Sequence, residues 1–225
     1  MIETAKLPFT LDTSMPDSSN PKKSKSEEIL SVAQDLVQTK GYNGFSYRDI
    51  AAAIGINSAS FHYHFPTKGD LGRDVTARYS DAFAQALQAL LESTDSTHER
   101  IEGYAALFRT TLVEQNRLCM CGVLAGEVET VPDDVKVEVA RFFEAQTLWL
   151  ESVLQAGIDN GEILSCKDTK TWAVTILSSL EGGMLVARGS GDSKHFDLVK
   201  ENLLKVLFEA TPQYSKLFDL LRKHQ

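Results

Sequence analysis

Residues 45–71 read FSYRDIAAAIGINSASFHYHFPTKGDL, and no other stretch constrains the fold as tightly. Ser46 opens a helix as a cap does, a short polar side chain three residues ahead of an acid, Asp49. Ile50, Ala51 and Ile54 give that helix a short apolar face, and Gly55 stops it after about two turns. Past the bend at Gly55-Ile56, Asn57 or Ser58 caps a further short helix that runs through Phe61 to about Tyr63 and is closed by Pro66. Two short helices joined by a tight turn containing glycine are the arrangement that presents the second helix to the major groove of DNA. Ser58, Ala59 and Ser60 are small enough for close backbone approach, while His62, Tyr63 and His64 offer hydrogen bonds to bases or phosphates. Phe61 and Phe65, four apart, share the core-facing side, which leaves Ser58, Ser60 and His62 better access to a groove. The same spacing also fits one corner of a helical core with its polar face in water.

Upstream, Ser24-Lys25-Ser26-Glu27 has the capping-box pattern, and Ile29, Ala33, Leu36 and Val37 form one face before Gly41 supplies a stop. Three helices therefore fill residues 24 to 65. Thr67-Lys68-Gly69-Asp70 starts a longer fourth helix whose stripe runs Leu71, Val75, Ala82, Phe83, Ala86, Leu87 and Leu90, about six turns. Further helices are predicted at roughly 97–115, 118–129, 133–160, 168–188 and 194–209, punctuated by Pro132, Gly161, Gly189 and Gly191. No segment alternates like a strand, and neither a solenoid repeat nor a sustained heptad is present. The expected fold is all-α in two parts: a three-helix helix-turn-helix DNA-binding domain at 22–66 and a larger helical ligand-binding and dimerisation domain at 67–225, after a flexible arm at 1–21.

The chain has 225 residues and carries a formal net charge of −8, which argues against a general basic coat for nucleic acid. That average divides unevenly, because residues 22–75 sum to +1, residues 76–225 to −7 and residues 1–21 to −2. Lys22, Lys23 and Lys25 precede or begin the first helix, where they could reach flanking phosphates or simply form a solvated helix start. Three cysteines, Cys119, Cys121 and Cys166, suit a reducing compartment better than a disulfide framework. The first 21 residues lack the apolar core of a signal peptide, and the most apolar stretch, 173–187, is interrupted by Glu181, two serines and two glycines. The expectation is a cytoplasmic protein without a membrane span.

Gly41-Tyr42, the run from Phe45 to Ala51, Ile54-Gly55-Ile56 and the run from Ser60 to Leu71 together resemble the TetR/AcrR family of bacterial transcriptional regulators, over about 50 contiguous residues. The resemblance implies a homodimer that binds double-stranded DNA at a pseudopalindromic operator, usually as a repressor released by a small-molecule inducer. Carried over position by position, it puts Ser46, Tyr47 and Arg48 at the phosphate-facing start of the second helix. Ser58, Ser60, His62 and Tyr63 fall on the recognition helix. His64 and Lys68 fall where the family approaches the DNA backbone, Lys68 at a helix N-terminus whose amides would add to phosphate binding. Tyr47 departs from the pattern, since many relatives carry a small hydroxyl residue there. Gly69 weakens the start of the fourth helix and permits the small domain to swing.

The larger part exceeds what is needed to hold two reading heads apart, so a cavity is expected in it. Phe83, Phe108, Leu112, Phe142, Phe143, Leu148 and Trp149 are candidates to line it, although aromatics at helical spacing also serve as plain core. Cys119 and Cys121 follow an expected helix break at Gln115-Asn116. A thiol near a helix N-terminus can be activated, giving an alternative in which an electrophile or oxidant is the signal; inert burial is the competing reading. Two positions apart on a helix, the cysteines point about 200° apart, which discounts a metal site. No cofactor is implied.

Trp172, Ile176, Leu180, Met184 and Ala187 form one stripe, with Gly182-Gly183 permitting close approach, and Leu203, Val206, Leu207 and Phe208 supply a partner helix. Two such helices from each subunit would make a four-helix dimer interface, though an intrachain core could use the same residues. Two rival functions have less support in the residues. A thiol enzyme with Cys121 as nucleophile and His98 or His195 as base lacks any local nucleophile motif. A helical scaffold without DNA activity would leave the ordered pattern from Ser46 to Leu71 unexplained.

Overall fold

The computed structural model describes residues 24–163 and 168–209. Lys22, Lys23, Cys166 and the expected arm lie outside the described residues. Those described form nine α-helices and no strand. Ser24 caps α1 (Lys25–Lys40): its hydroxyl accepts the Glu27 N–H at 3.2 Å while the Glu27 carboxylate accepts the Ser24 N–H at 2.9 Å. That reciprocal pair satisfies two of the N–H groups a helix start leaves open. Helix α2 (Tyr47–Ile54) ends at Gly55 with φ 68° and ψ 37°, a left-handed residue that turns the chain sharply. Asn57 then caps α3 (Ser58–His64), its side-chain oxygen accepting the Ser60 N–H at 2.8 Å.

Helix α4 (Lys68–Ser93) is followed by α5 (Thr97–Arg109), which runs into one π-helical turn at Thr110–Glu114. The remaining helices are α6 (Met120–Gly126), α7 (Asp133–Asp159), α8 (Thr169–Ser190) and α9 (Lys194–Phe208). Among the described residues no helix is long and apolar enough to cross a membrane.

The chain divides into two compact units, but not at residue 66. The first runs up to Gln88 and adds Val123–Val139; the second takes Ala89–Gly122 and Ala140 onward. Most of α4 therefore belongs with the three-helix head, and side-chain bonds explain why. Arg78 of α4 donates to Ser31 Oγ at 3.1 Å and to Gln34 Oε1 at 2.9 Å on α1. Leu71, Val75 and Tyr79 are buried in the same unit as Ile29, Ala33, Val37, Ile50, Phe61 and Phe65.

The segment after α6 joins this unit through one carboxylate. Glu127 accepts the backbone N–H of Tyr42 at 3.1 Å and of Asn43 at 3.0 Å, and the Asn43 side-chain amide donates to Glu127 and to Thr130 Oγ1 at 2.7 Å each. Gly41, with φ 82°, has no room for a Cβ because it would fall on that carboxylate.

In the second unit α8 packs on α9, and α5 packs on both. Arg109 reaches Asp197 through Nε at 2.7 Å and Nη2 at 3.4 Å. The stripe expected at a subunit interface is corrected here. Ile176, Leu180, Met184, Leu203 and Leu207 are buried within the single chain, and Trp172 is half-buried. Helix α8 has a second apolar face, carrying Val174, Leu185 and Val186, and this one is exposed, as are Leu198 and Val206 of α9. Periodicity selects the stronger stripe, and the stronger stripe is the one that fills the chain's own core.

Candidate nucleic-acid interface and regulatory core

The side expected to meet DNA begins at the first turn of α2. Ser46 directs both its N–H and its hydroxyl to Asp49 Oδ2, at 2.7 and 2.8 Å, and these bonds hold the Asp49 carboxyl below the usual range. Arg48 beside it is exposed. Tyr47 leans across to α3: its ring lies 4.5 Å from Phe61 and 5.0 Å, edge-on, from His62. Partial burial, then the Asp70 charge, pushes the Tyr47 phenol up, so it keeps its proton and remains a donor. The large ring at this position therefore braces α3 as well as offering an O–H.

On α3, Phe61 and Phe65 are buried with rings 6.2 Å apart, as their spacing predicts. His62 is exposed and Tyr63 is 84% exposed. His64 and Ser60 are half-buried, and the Tyr63 and His64 rings meet edge-on at 5.3 Å. Ser58 opens the helix, but its side chain lies outside the described residues. Lys25 is exposed and paired with Glu28 at 2.6 Å.

Lys68 differs from expectation. Its ammonium turns inward, donating to the Tyr42 carbonyl at 2.6 Å and the Phe45 carbonyl at 2.7 Å over both rings, while the Tyr42 hydroxyl donates to the Lys68 carbonyl at 2.8 Å. Burial draws the Lys68 ammonium down, and it pushes the Tyr42 phenol up to about 12. The side chain joins the α1–α2 turn to the start of α4 instead of standing free for phosphate. Lys68→Ala is accordingly expected to lower stability by about 1–3 kcal/mol, the cost of leaving buried carbonyls without donors. The slope of log affinity for DNA against log salt should stay unchanged; a slope reduced by about one would restore Lys68 as a phosphate contact.

The expected cavity residues separate. Phe83 belongs to the first unit, where it lies 6.3 Å from the Tyr79 ring. Phe108, Leu112, Cys119, Cys121 and Phe142 are buried in the second, Phe143 and Trp149 are half-buried there, and Leu148 is exposed on the solvent side of α7. Tyr104, which periodicity did not single out, stacks on Trp149 at 5.4 Å and meets Phe108 edge-on at 5.2 Å.

The activated-thiol expectation is also corrected. Cys119 and Cys121 are both buried. Burial pushes the Cys119 thiol well above its usual range, and the nearby Glu181 carboxyl adds to the rise. Any pull from the seven-residue α6 is outweighed. His98 packs on Phe208 at 4.8 Å, and His195 lies with Ser190 Oγ and the Asp192 carbonyl, so both imidazoles have other company.

Known proteins resemble this chain along most of its length. A family model described as bacterial regulatory proteins of the tetR family matches residues 29–75, and one described as a tetracyclin repressor-like C-terminal domain matches residues 97–203. A TetR-family transcriptional regulator from Agrobacterium tumefaciens superposes with a TM-score of 0.79 at 30% identity, over 82% of this chain and 97% of that one. A TetR regulator from Legionella pneumophila gives 0.75 at 34% identity, over 83% and 98%. The transcriptional repressor DhaR of Mycobacterium sp. strain GP1 is 26% identical over 185 residues, 82% of this chain and 90% of DhaR.

Proposed function

The chain belongs to the TetR family and is a DNA-binding transcriptional regulator, and from that premise we propose a homodimeric repressor that leaves a pseudopalindromic operator when a small molecule binds its second unit. The observation that carries the reading is α3 itself: His62 and Tyr63 stand outward while Phe61 and Phe65 hold the helix to its core. A tyrosine 84% exposed, with its ring edge-on to His64, leaves most of its surface uncovered in the free chain, and a groove would cover it. Arg48 and the Tyr47 phenol, at the start of α2, are placed to position the head on phosphate.

Dimerisation through α8 and α9 is supported by their exposed apolar face. Ser178, Gly182, Gly183, Val186, His195 and Leu203 line a groove of about 420 Å³ there. The small residues allow close approach of a second copy's helices, and a twofold pair would set two α3 helices against successive major grooves. Inducer binding that favours another spacing of those helices lowers DNA affinity, and operator must then lower inducer affinity by the same factor.

Selection of bound duplexes from a randomised pool tests this directly. The expected product is an inverted repeat with half-site centres about one helical turn apart, or a multiple of that spacing, retained two chains per duplex and released by salt. Enrichment of no sequence, or of a single half-site by one chain, would refute it.

A further inference from the structure

Inside the second unit, polar groups from three helices and the segment before α6 gather beside an aromatic wall. The rings of Tyr104 on α5 and Trp149 on α7 stack at 5.4 Å with an interplanar angle of 23°. The Cys119 thiol hydrogen-bonds the Glu181 carboxyl of α8. That carboxyl presses on Gly122, where an added Cβ would lie 2.5 Å from its Oε2. Both Glu181 and Cys119 act on the buried Tyr104 phenol, whose rise is mainly burial. Gln146, 2% exposed, sits one turn before Trp149 on α7, on the same side of that helix.

Three polar atoms on these residues of the second unit are buried without a hydrogen-bond partner: Glu181 Oε1, Gln146 Oε1 and Trp149 Nε1. Leaving a buried group unsatisfied costs roughly 1–3 kcal/mol, so three in one core call for a partner from outside the chain. Two of the three are acceptors, and one of those is a carboxyl. The two oxygens set the complement: a molecule that brings hydrogen-bond donors to them and a flat apolar face to the Tyr104–Trp149 wall, leaving the Trp149 N–H, a donor, to water. An anionic ligand is disfavoured, because it would meet Glu181 with like charge in a low-dielectric interior.

We propose that the cluster of Tyr104, Gln146, Trp149 and Glu181 is the effector seat, and that the effector is a small planar cation with N–H donors, of the amidinium or aryl-guanidinium class. This rests on the reading that the second unit takes an inducer, and it names that inducer's chemistry. Its N–H groups reach Glu181 Oε1 and Gln146 Oε1, and its ring lies on the aromatic wall. Burial lifts the Glu181 carboxyl to about 7, with the Cys119 bond pulling the other way; a cation beside it favours the ionised form and strengthens the contact.

Benzamidinium and benzoate are matched in shape and opposite in charge, which makes them suitable probes. With the full chain, benzamidinium at tenfold excess over its dissociation constant is expected to raise the unfolding temperature by about 3 °C, and benzoate to leave it unchanged. Glu181→Gln and Gln146→Leu, which preserve volume, should each weaken benzamidinium about tenfold or more by calorimetry. Equal stabilisation by benzoate, no stabilisation by benzamidinium, or affinity that survives both substitutions would overturn the site. DNA retention is read separately. A chain that binds benzamidinium through these residues but retains no DNA fails the regulator reading alone, whereas binding that leaves the affinity for a selected duplex unchanged removes the effector role.

Discussion

Val186→Glu should produce a folded monomer whose affinity for a two-half-site duplex has fallen by about a hundredfold or more. Val186 is 57% exposed in the single chain and lines the α8–α9 groove, so glutamate there meets only water until a second copy docks. In the proposed dimer it would be buried in the α8–α9 interface, a desolvated charge without a partner. Losing the tie between two heads forfeits the effective concentration that makes the second half-site nearly free to bind, a factor of about 10² to 10⁴. Sedimentation gives the mass, and a duplex carrying one half-site is the control, expected to change little. A variant that remains dimeric and keeps its affinity within about threefold would place the interface elsewhere.

Phe61→Ala should have the largest effect on stability. The ring is fully buried, touches Tyr47 and Phe65, and anchors the recognition helix. Truncating such a residue costs about 3–5 kcal/mol, equivalent to a fall of roughly 10 °C in the unfolding midpoint for a chain of this size. Specific DNA binding should disappear with it. Tyr63→Ala is the contrasting substitution, since an exposed ring leaves the midpoint within about 2 °C while weakening the selected duplex by about 1–3 kcal/mol. Thermal unfolding and DNA retention on the same two proteins separate building the helix from using it; similar midpoints for both variants would contradict the assignment.

What could be read from the sequence was local. Ser24, Asn57 and Gly55 act through neighbours three or four residues away, so α1 to α3 and the burial of Phe61 and Phe65 followed from spacing. Cap and breaker signals likewise located the later helices to within a few residues. What escaped depends on partners far along the chain. Nothing near Glu127 announces that it will receive the Tyr42 and Asn43 amides, and nothing near Lys68 says that its ammonium will turn toward two carbonyls of the α1–α2 turn. Helix α8 misled for a different reason: it has two apolar stripes, and a pattern cannot say which one the chain keeps for itself. The place of Cys119 near a helix start suggests activation, but burial and the neighbouring Glu181 carboxyl govern the thiol.

The Glu127 bonds bear on how the protein is made. They close the first unit across 85 residues of sequence, a separation whose equilibrium cost grows only slowly with length but which fixes an order of events. Helices α1 to α3 leave the ribosome first, and the segment that completes their unit ends at Val139. At about 5–20 residues per second that interval lasts roughly 5–20 s. During it the nascent head carries the Tyr42 and Asn43 amides without their acceptor, and a DNA-reading surface is present before the clamp that steadies it. Full competence of the head thus waits on translation of a stretch that, in the linear sequence, lies well inside the other half of the protein.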